Sequence, residues 1–215
     1  MTDPVKQKRK YNSSRRSEQA ADTRNLVIDA ARTLFITSGW QATTIAGIAK
    51  TAKVSPETIY ATFRNKEAIL QAVIEKAVRG EQPDKALLEQ SGPLAIAGAS
   101  SQSVQIALFA KDICRVLINV SEVMAVLRTA AESDAGLSKL YSSLHEGRRR
   151  NLSFVATALI GNGPLRGDID VSLATDQLWR LASPELFLLM TKVEGISNNA
   201  YAEWLRDMLQ TQLLR

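Results

Sequence analysis

The sequence is poor in the residues that hold folds together covalently or through metals. Its 215 residues include one cysteine, Cys114, and one histidine, His145. A single thiol excludes an intramolecular disulfide and a thiolate zinc cluster, and it is typical of a protein from a reducing compartment. A single imidazole argues against most Ser-His-Asp and histidine-rich metal sites, and no glycine-rich phosphate loop is present. We therefore expect no metal, no cofactor and no enzymatic activity.

Long apolar runs are also absent. No stretch approaches the roughly 18 consecutive apolar residues of a membrane-spanning helix, and the basic amino terminus lacks the apolar segment of a signal peptide. With 45% hydrophobic and 23% charged residues, the composition is that of an ordinary globular protein. The sequence predicts a soluble, cytoplasmic protein with no membrane partner.

Positive charge is concentrated in the first third of the chain. Residues 1–79 contain 14 basic and 7 acidic residues, whereas residues 80–215 contain 13 basic and 15 acidic ones. A basic segment of this size attracts polyanions, so nucleic acid and anionic membrane surfaces are the candidate partners. Residues 1–22 are polar and poor in bulky apolar side chains, which predicts a disordered basic arm.

Residues 23–79 have the apolar spacing of four helices. Val27, Ala31 and Phe35 form one stripe of the first helix, which Gly39 ends. Thr43 or Thr44 is the predicted cap of one short helix and Ser55 that of the next, and a fourth helix starts near Asn65. Two short helices joined by a tight turn can present one of them to a DNA major groove, although plain structural bundles share this spacing. The surplus of basic residues in this segment favours DNA binding over a purely structural role.

About fifty consecutive residues carry a more specific pattern, which consists of Val27-Ile28-Asp29-Ala30-Ala31, Leu34-Phe35, Gly39-Trp40, Thr43-Thr44-Ile45, Ile48-Ala49, Val54-Ser55-Pro56-Glu57-Thr58-Ile59-Tyr60, Phe63 and Asn65-Lys66-Glu67-Ala68-Ile69-Leu70. In order and spacing they resemble the DNA-binding half of TetR-family transcriptional regulators. A looser resemblance to the regulatory half lies in Leu178-Trp179, Ser183-Pro184-Glu185-Leu186 and Tyr201-Ala202-Glu203-Trp204-Leu205. Two residues depart from the family pattern: Trp40 replaces the usual tyrosine, and Lys53 occupies a turn position often held by glycine, so Lys53 must adopt a strained or left-handed backbone.

The resemblance implies an all-α fold in two parts. Residues 23–79 would be a three-helix, helix-turn-helix DNA-binding domain, and residues 80–215 a larger helical domain for ligand binding and dimerisation. The implied function is a sequence-specific regulator, in most members of the family a repressor, that a small-molecule effector releases from a palindromic double-stranded operator. A helical enzyme and a nonspecific chromosome-associated DNA-binding protein remain the alternatives.

The predicted DNA contacts centre on the third helix. Ile59 faces inward, so Glu57 could accept a hydrogen bond from cytosine, Pro56 and Ala61 could touch a thymine methyl, and Tyr60 suits a phosphate or sugar. Glu57 could equally compensate the helix N-terminal charge. Lys66 is predicted to clamp a phosphate, so that Lys66→Ala would lower the salt slope by about one unit. The full predicted set is Thr44, Ser55, Pro56, Glu57, Thr58, Tyr60, Ala61, Thr62 and Lys66.

Apolar periodicity beyond residue 100 predicts helices over 103–119, 121–132, 135–160, 172–194 and 199–214. Residues 80–100 are expected to be a loop with at most a short helix. The residues expected to line an effector cavity are Phe109, Ile113, Met124, Arg128, Tyr141, Phe154 and Trp179. The homodimer interface is expected to include Leu186, Met190, Trp204 and Met208. Arg148-Arg149-Arg150 is interpreted as a solvated helix face, and Cys114 as a buried thiol.

Overall fold

The computed structural model describes residues 11–80, 85–167 and 169–215. These residues form ten α-helices and no strand, as the sequence predicts for an all-α protein. The helices are α1 (Tyr11–Ala42), α2 (Ile45–Ala52), α3 (Pro56–Thr62), α4 (Lys66–Arg79), α5 (Ser91–Gly98), α6 (Gln102–Ala131), α7 (Ala135–Gly161), α8 (Val171–Leu181), α9 (Pro184–Leu188) and α10 (Asn198–Leu213). A 3-10 turn covers Leu87–Glu89, and a π-helical segment, Leu189–Val193, follows α9.

The chain divides into two compact units, Met1–Leu70 and Gln71–Arg215. The division falls within α4, before the predicted boundary between residues 79 and 80. The reason is local: Ile74 and Val78, in the second half of α4, line a cavity of the second unit. We refer to these parts as the first unit and the second unit.

The core of the first unit is built from the apolar stripes of its short helices. Val27, Phe35, Ile48, Ile59 and Ile69 are completely buried. Gly39 interrupts α1 with a positive φ of 76°, the backbone conformation that glycine adopts most readily. The predicted end of the regular first helix at Gly39 is therefore confirmed.

The amino-terminal end of α1 differs from the prediction. The helix begins at Tyr11, so residues 11–22 are helical rather than part of a disordered arm. Residues 15–22 contain several strong helix formers, among them Arg15, Arg16, Glu18 and Ala20, and these favour a helix although their side chains are exposed. Residues 1–10 of the predicted arm lie outside the described residues.

The second unit is organised around α6, which packs against α5, α7, α9 and α10. Two helices predicted within this stretch are in fact one. The apolar stripe of Leu117, Val120, Met124 and Leu127 continues through the predicted break at residue 120, and all four side chains are buried. The buried Gln105 on this helix donates to the carbonyls of Ile96 on α5 and Ala158 on α7, both at 3.1 Å.

The prediction of one continuous helix over residues 172–194 is wrong, because this range is divided into separate helical segments. Ala182 leaves helical geometry, and Ser183 caps a new helix whose first residue is Pro184. Proline lacks the N–H needed in a helix interior but is favoured at a first position. The helices predicted over 135–160 and 199–214 are confirmed to within one residue. Among the helices of the described ranges, none is both long and apolar enough to cross a bilayer.

Candidate functional site

The turn between α2 and α3 fixes the orientation of α3. Lys53 ends α2 in the left-handed conformation, with φ 56° and ψ 40°, as its position in the motif predicts. The Val54 amide then donates to the Ala49 carbonyl at 3.0 Å, and the Ser55 hydroxyl accepts from the Thr58 amide at 3.2 Å. These bonds satisfy polar groups that a helix end otherwise leaves free. The turn is therefore closed by backbone and cap interactions.

The outer face of α3 is open to solvent. Ile59 anchors the helix with no exposed surface, whereas the neighbouring Tyr60 is 61% exposed. Pro56, Glu57 and Ala61 are also exposed. The hydrogen bond from the Ser55 side chain lowers the pKa of Glu57, so its carboxylate is ionised and can accept hydrogen bonds. This face offers an aromatic ring with a hydroxyl, an acceptor and small apolar surfaces.

Lys66 does not present a free ammonium group. Its Nζ donates to the carbonyls of Trp40 at 2.8 Å and Thr43 at 2.9 Å, and it lies 4.0 Å from the centre of the Trp40 ring. Burial lowers the pKa of Lys66, but the group stays close to two carbonyl dipoles and an aromatic face that favour a cation. In this structure Lys66 ties the end of α1 to the start of α4, and its contact with a phosphate stays a prediction.

The second unit contains a cavity of about 520 Å³. Small-molecule sites in proteins occupy about 300 to 1,000 Å³ and are lined mainly by apolar side chains. Most of this wall is apolar, and α6 contributes a continuous strip that includes Phe109, Ile113, Val116, Leu117, Val120 and Met124. Size and lining are therefore suited to a small organic molecule.

One part of the cavity wall is polar. His145 and Arg148 of α7 line it, and the Trp179 ring packs on both side chains, 5.7 Å from the imidazole and 5.1 Å from the guanidinium carbon. Arg148 Nη2 donates to the Trp179 carbonyl, while the Tyr141 hydroxyl donates to Glu185 at 2.9 Å. Burial and the Glu185 carboxylate raise the pKa of Tyr141 to about 12. We call His145, Arg148 and Trp179 the polar cluster.

Comparison with known proteins identifies the first unit. The family model described as "Bacterial regulatory proteins, tetR family" matches residues 27–73. The HTH-type transcriptional regulator UidR of Escherichia coli (strain K12) is 38% identical over 56 residues, which are 26% of this chain and 29% of UidR. Residues 27–73 are therefore similar to the DNA-binding region of TetR-family regulators. The match to UidR spans less than a third of that protein, so it concerns the DNA-binding region of the family.

Two further proteins are similar to most of the chain. The uncharacterised HTH-type regulator YdeS of Bacillus subtilis (strain 168) is 25% identical over 189 residues, covering 87% of this chain and 86% of YdeS. The crystal structure of the regulator FadR from Bacillus subtilis, in complex with stearoyl-CoA, has a TM-score of 0.67 at 20% identity and covers 86% of this chain and 96% of FadR. At that identity the likeness shows a shared fold.

The structure brings the predicted DNA contacts together on and beside α3. Ser55 and Thr44 are N-caps, and the Thr44 hydroxyl accepts from the Gly47 amide at 3.0 Å. Thr58 is half-buried, and Thr62 is exposed with its hydroxyl bonded to the Thr58 carbonyl at 2.9 Å. Several hydroxyls predicted to contact DNA thus already shape the local backbone.

The predicted cavity residues separate into two groups. Phe109, Ile113, Met124 and Phe154 line the cavity. Arg128, Tyr141 and Trp179 are not among its lining residues: Arg128 is exposed, Tyr141 is bonded to Glu185, and Trp179 lies behind His145 and Arg148. Of the predicted dimer residues, Met190 is buried, and Leu186, Trp204 and Met208 are half-buried.

The predicted set of cavity residues includes neither His145 nor Arg148. The sequence interpretation put Arg148 on a solvated face with its two arginine neighbours, but its side chain is largely buried. A usable signal exists in the spacing of Tyr141, His145, Arg148, Leu152 and Val155, which are separated by four, three, four and three residues. That spacing marks the inner face of a helix, so the two polar residues belong to a buried stripe.

Proposed function

We propose that this protein is a cytoplasmic, ligand-responsive transcriptional repressor that binds a specific DNA sequence by placing α3 in the major groove. The observation that carries the proposal is the exposed outer face of α3 on a helix anchored by the fully buried Ile59. A recognition helix needs this combination, since its base-reading side chains must be accessible while its backbone stays fixed. The protein would act by binding and not by catalysis.

The roles of the side chains follow from their exposure. Glu57, Pro56 and Ala61 would meet base edges, with Glu57 accepting from a cytosine amino group. Tyr60 would reach a phosphate or sugar, helped by Thr44, Ser55, Thr58 and Thr62 beside it. The first-turn amides of α4, starting at Lys66, would bind a backbone phosphate, because these N–H groups carry the positive end of the helix dipole.

The effector would bind in the cavity of the second unit. Its predominantly apolar wall supports this assignment, as does the stearoyl-CoA complex of FadR, which has the same fold. α4 supplies residues to both functions: Lys66 holds the turn after α1, and Ile74 and Val78 line the cavity. A ligand that shifts α4 would change the binding-competent population of α3.

The active form is proposed to be a homodimer on a near-palindromic operator. Leu186, Met190, Trp204 and Met208 would contribute to the interface, together with Leu189 and Val193, which are 47% and 76% exposed. Apolar residues on a helix surface favour association with a second copy. Two copies related by a twofold axis would present two α3 helices to successive major grooves.

Selection of duplexes from random DNA with the full-length chain tests the proposal. We expect enrichment of a short inverted repeat, protected in footprinting and bound by two chains. Tyr60→Ala should abolish this binding while its thermal unfolding matches that of the unaltered chain, since Tyr60 is mostly exposed. Binding without sequence preference would support chromosome coating and overturn the proposal, as would unchanged operator affinity in Tyr60→Ala.

A further inference from the structure

The polar cluster contains buried hydrogen-bond donors without acceptors. Within the described residues, Arg148 Nε, His145 Nε2 and Trp179 Nε1 are all buried and have no hydrogen-bond partner. A buried donor left unpaired costs about 1 to 3 kcal/mol, so three such donors in one place call for an explanation. Since His145 and Arg148 also line the cavity, a ligand there is the natural source of an acceptor.

The hydrogen on His145 can be assigned from its neighbours. Arg148 Nη1 lies 3.4 Å from His145 Nδ1, and a guanidinium can only donate, so Nδ1 is the acceptor. Burial lowers the pKa of His145, which keeps the ring neutral and leaves its single hydrogen on Nε2. Glu185 Oε1 is 3.9 Å from Nε2, too far for a hydrogen bond. His145 therefore carries an unpaired Nε2–H donor within the cluster.

The acidic groups near the cluster and in the cavity wall are already engaged. Glu185 accepts the Tyr141 hydroxyl, Asp112 pairs with Arg115 at 3.0 Å, and Glu75 accepts from the Gln71 amide at 2.8 Å. Burial lowers the pKa of Arg148 to about 10, so it remains a cation at neutral pH. Its hydrogen-bonding partners are a carbonyl and an imidazole, both uncharged, and the Glu185 carboxylate, which raises its pKa from nearby, is already bonded to the Tyr141 hydroxyl.

We propose that the cavity binds an apolar molecule that bears a carboxylate, with the carboxylate held by Arg148 and His145 and the apolar body lying along the α6 strip of the wall. A carboxylate has acceptors for both donors and the opposite charge to the guanidinium, which makes such hydrogen bonds strong. The proposal takes from the proposed function that this cavity is the effector site, and it specifies the chemical class of the effector.

Isothermal titration of the full-length chain with three probes of one chain length tests this inference. The probes are sodium decanoate, 1-decanol and decyltrimethylammonium bromide, each below its aggregation concentration. We expect decanoate to bind at least tenfold more tightly than decanol, and the cation most weakly. Equal affinities for decanoate and decanol, tightest binding of the cation, or no binding of any probe would overturn the inference.

Matched variants locate the contact. Arg148→Gln should weaken decanoate binding at least tenfold and leave decanol binding unchanged, whereas Arg149→Gln, next in the chain and paired with Asp176, should change neither. Since Arg148 also bonds the Trp179 carbonyl, His145→Phe provides a second variant: it removes the Nε2 donor together with the long Nδ1 contact to Arg148, keeps the aromatic ring, and should weaken decanoate binding several-fold. Unchanged decanoate affinity in both cluster variants would contradict the assignment.

The ligand class and the proposed function can fail separately. The DNA selected by the ligand-free chain reports on the regulator, and decanoate titration without DNA reports on the cavity. If the chain binds its selected duplex but not decanoate, the ligand class is wrong and the regulator stands. If decanoate binds through Arg148 but no duplex is selected, the proposed function is wrong.

Discussion

The two units treat their buried polar groups differently. In the first unit, the buried Thr43 hydroxyl donates to the Gly39 carbonyl at 2.8 Å, and the Lys66 ammonium is bonded to two carbonyls. In the second unit, the donors of His145, Arg148 and Trp179 are buried without partners. The buried side-chain atoms that lack partners within the described residues all fall in the second unit.

This difference indicates what each unit needs from a partner. When all buried polar groups of a unit have hydrogen-bond partners, they favour a single rigid conformation. The side chains that contact a partner can then lie on its surface. A unit with unsatisfied interior donors is stabilised further by a ligand that supplies acceptors. The first unit is thus suited to reading a rigid surface such as DNA, and the second to enclosing a small molecule.

The largest effect is expected from the residue that anchors α3. Ile59→Ala should destabilise the first unit by about 2 to 5 kcal/mol, because it creates a cavity at a completely buried position. Hydrogen exchange of the α2 and α3 amides measures this loss. Tyr60→Ala is the matched control and should leave exchange unchanged. Similar exchange in the two variants would mean that α3 is not held by its inner face.

Lys66→Met should have the next largest effect. Methionine has a side chain of similar length but cannot make the two charge-assisted hydrogen bonds to carbonyls. Each of these contributes at most about 3 kcal/mol to the free energy of unfolding. We expect a lower unfolding temperature and weaker binding to every duplex, with an unchanged salt slope. The exposed Arg64 gives the contrast: Arg64→Gln should lower the salt slope by about one unit and leave stability unchanged. A lower salt slope of DNA binding in Lys66→Met would instead show that the ammonium contacts a phosphate.

Gln105→Leu tests whether a satisfied polar residue also stabilises the second unit. The change removes two hydrogen bonds that connect α6 with α5 and α7, at a cost of about 1 kcal/mol, since it also removes the unpartnered Oε1. Gln177→Leu removes a buried unpartnered oxygen and should not destabilise the second unit, because that oxygen carries a desolvation cost that leucine lacks. Urea denaturation compares the two variants. A greater loss for Gln177→Leu would contradict the difference between paired and unpaired groups.

The sequence predicted the first unit more accurately than the second because its signals are local. Ser55 with Pro56, Thr44 before α2, and Gly39 in α1 each fix a helix end through neighbours in the chain. The Ser183-Pro184 pair carries the same signal, and reading it consistently would have predicted the break after α8. Local chemistry is therefore sufficient to predict this break, even within a long apolar stretch.

Other features depend on partners distant in the chain. Nothing near Lys66 indicates that its ammonium contacts Trp40 and Thr43, more than twenty residues away. Arg148 has arginine neighbours that are exposed, and its burial depends on packing between α7 and α8. Periodicity could indicate that Arg148 faces inward, but only the assembled unit shows which of its donors lack acceptors.

The smallest predicted effect concerns the left-handed residue at the turn. A non-glycine residue in this conformation costs about 1 kcal/mol through contact of its Cβ with the backbone. Lys53→Gly should therefore stabilise the first unit by up to about 1 kcal/mol, because glycine relieves this contact, although its freer unfolded chain offsets part of the gain. Lys53→Ala removes the same charge but keeps the Cβ, so it should give no such gain. Thermal unfolding of the pair separates backbone strain from charge, and equal stabilities would show that the turn tolerates lysine without strain.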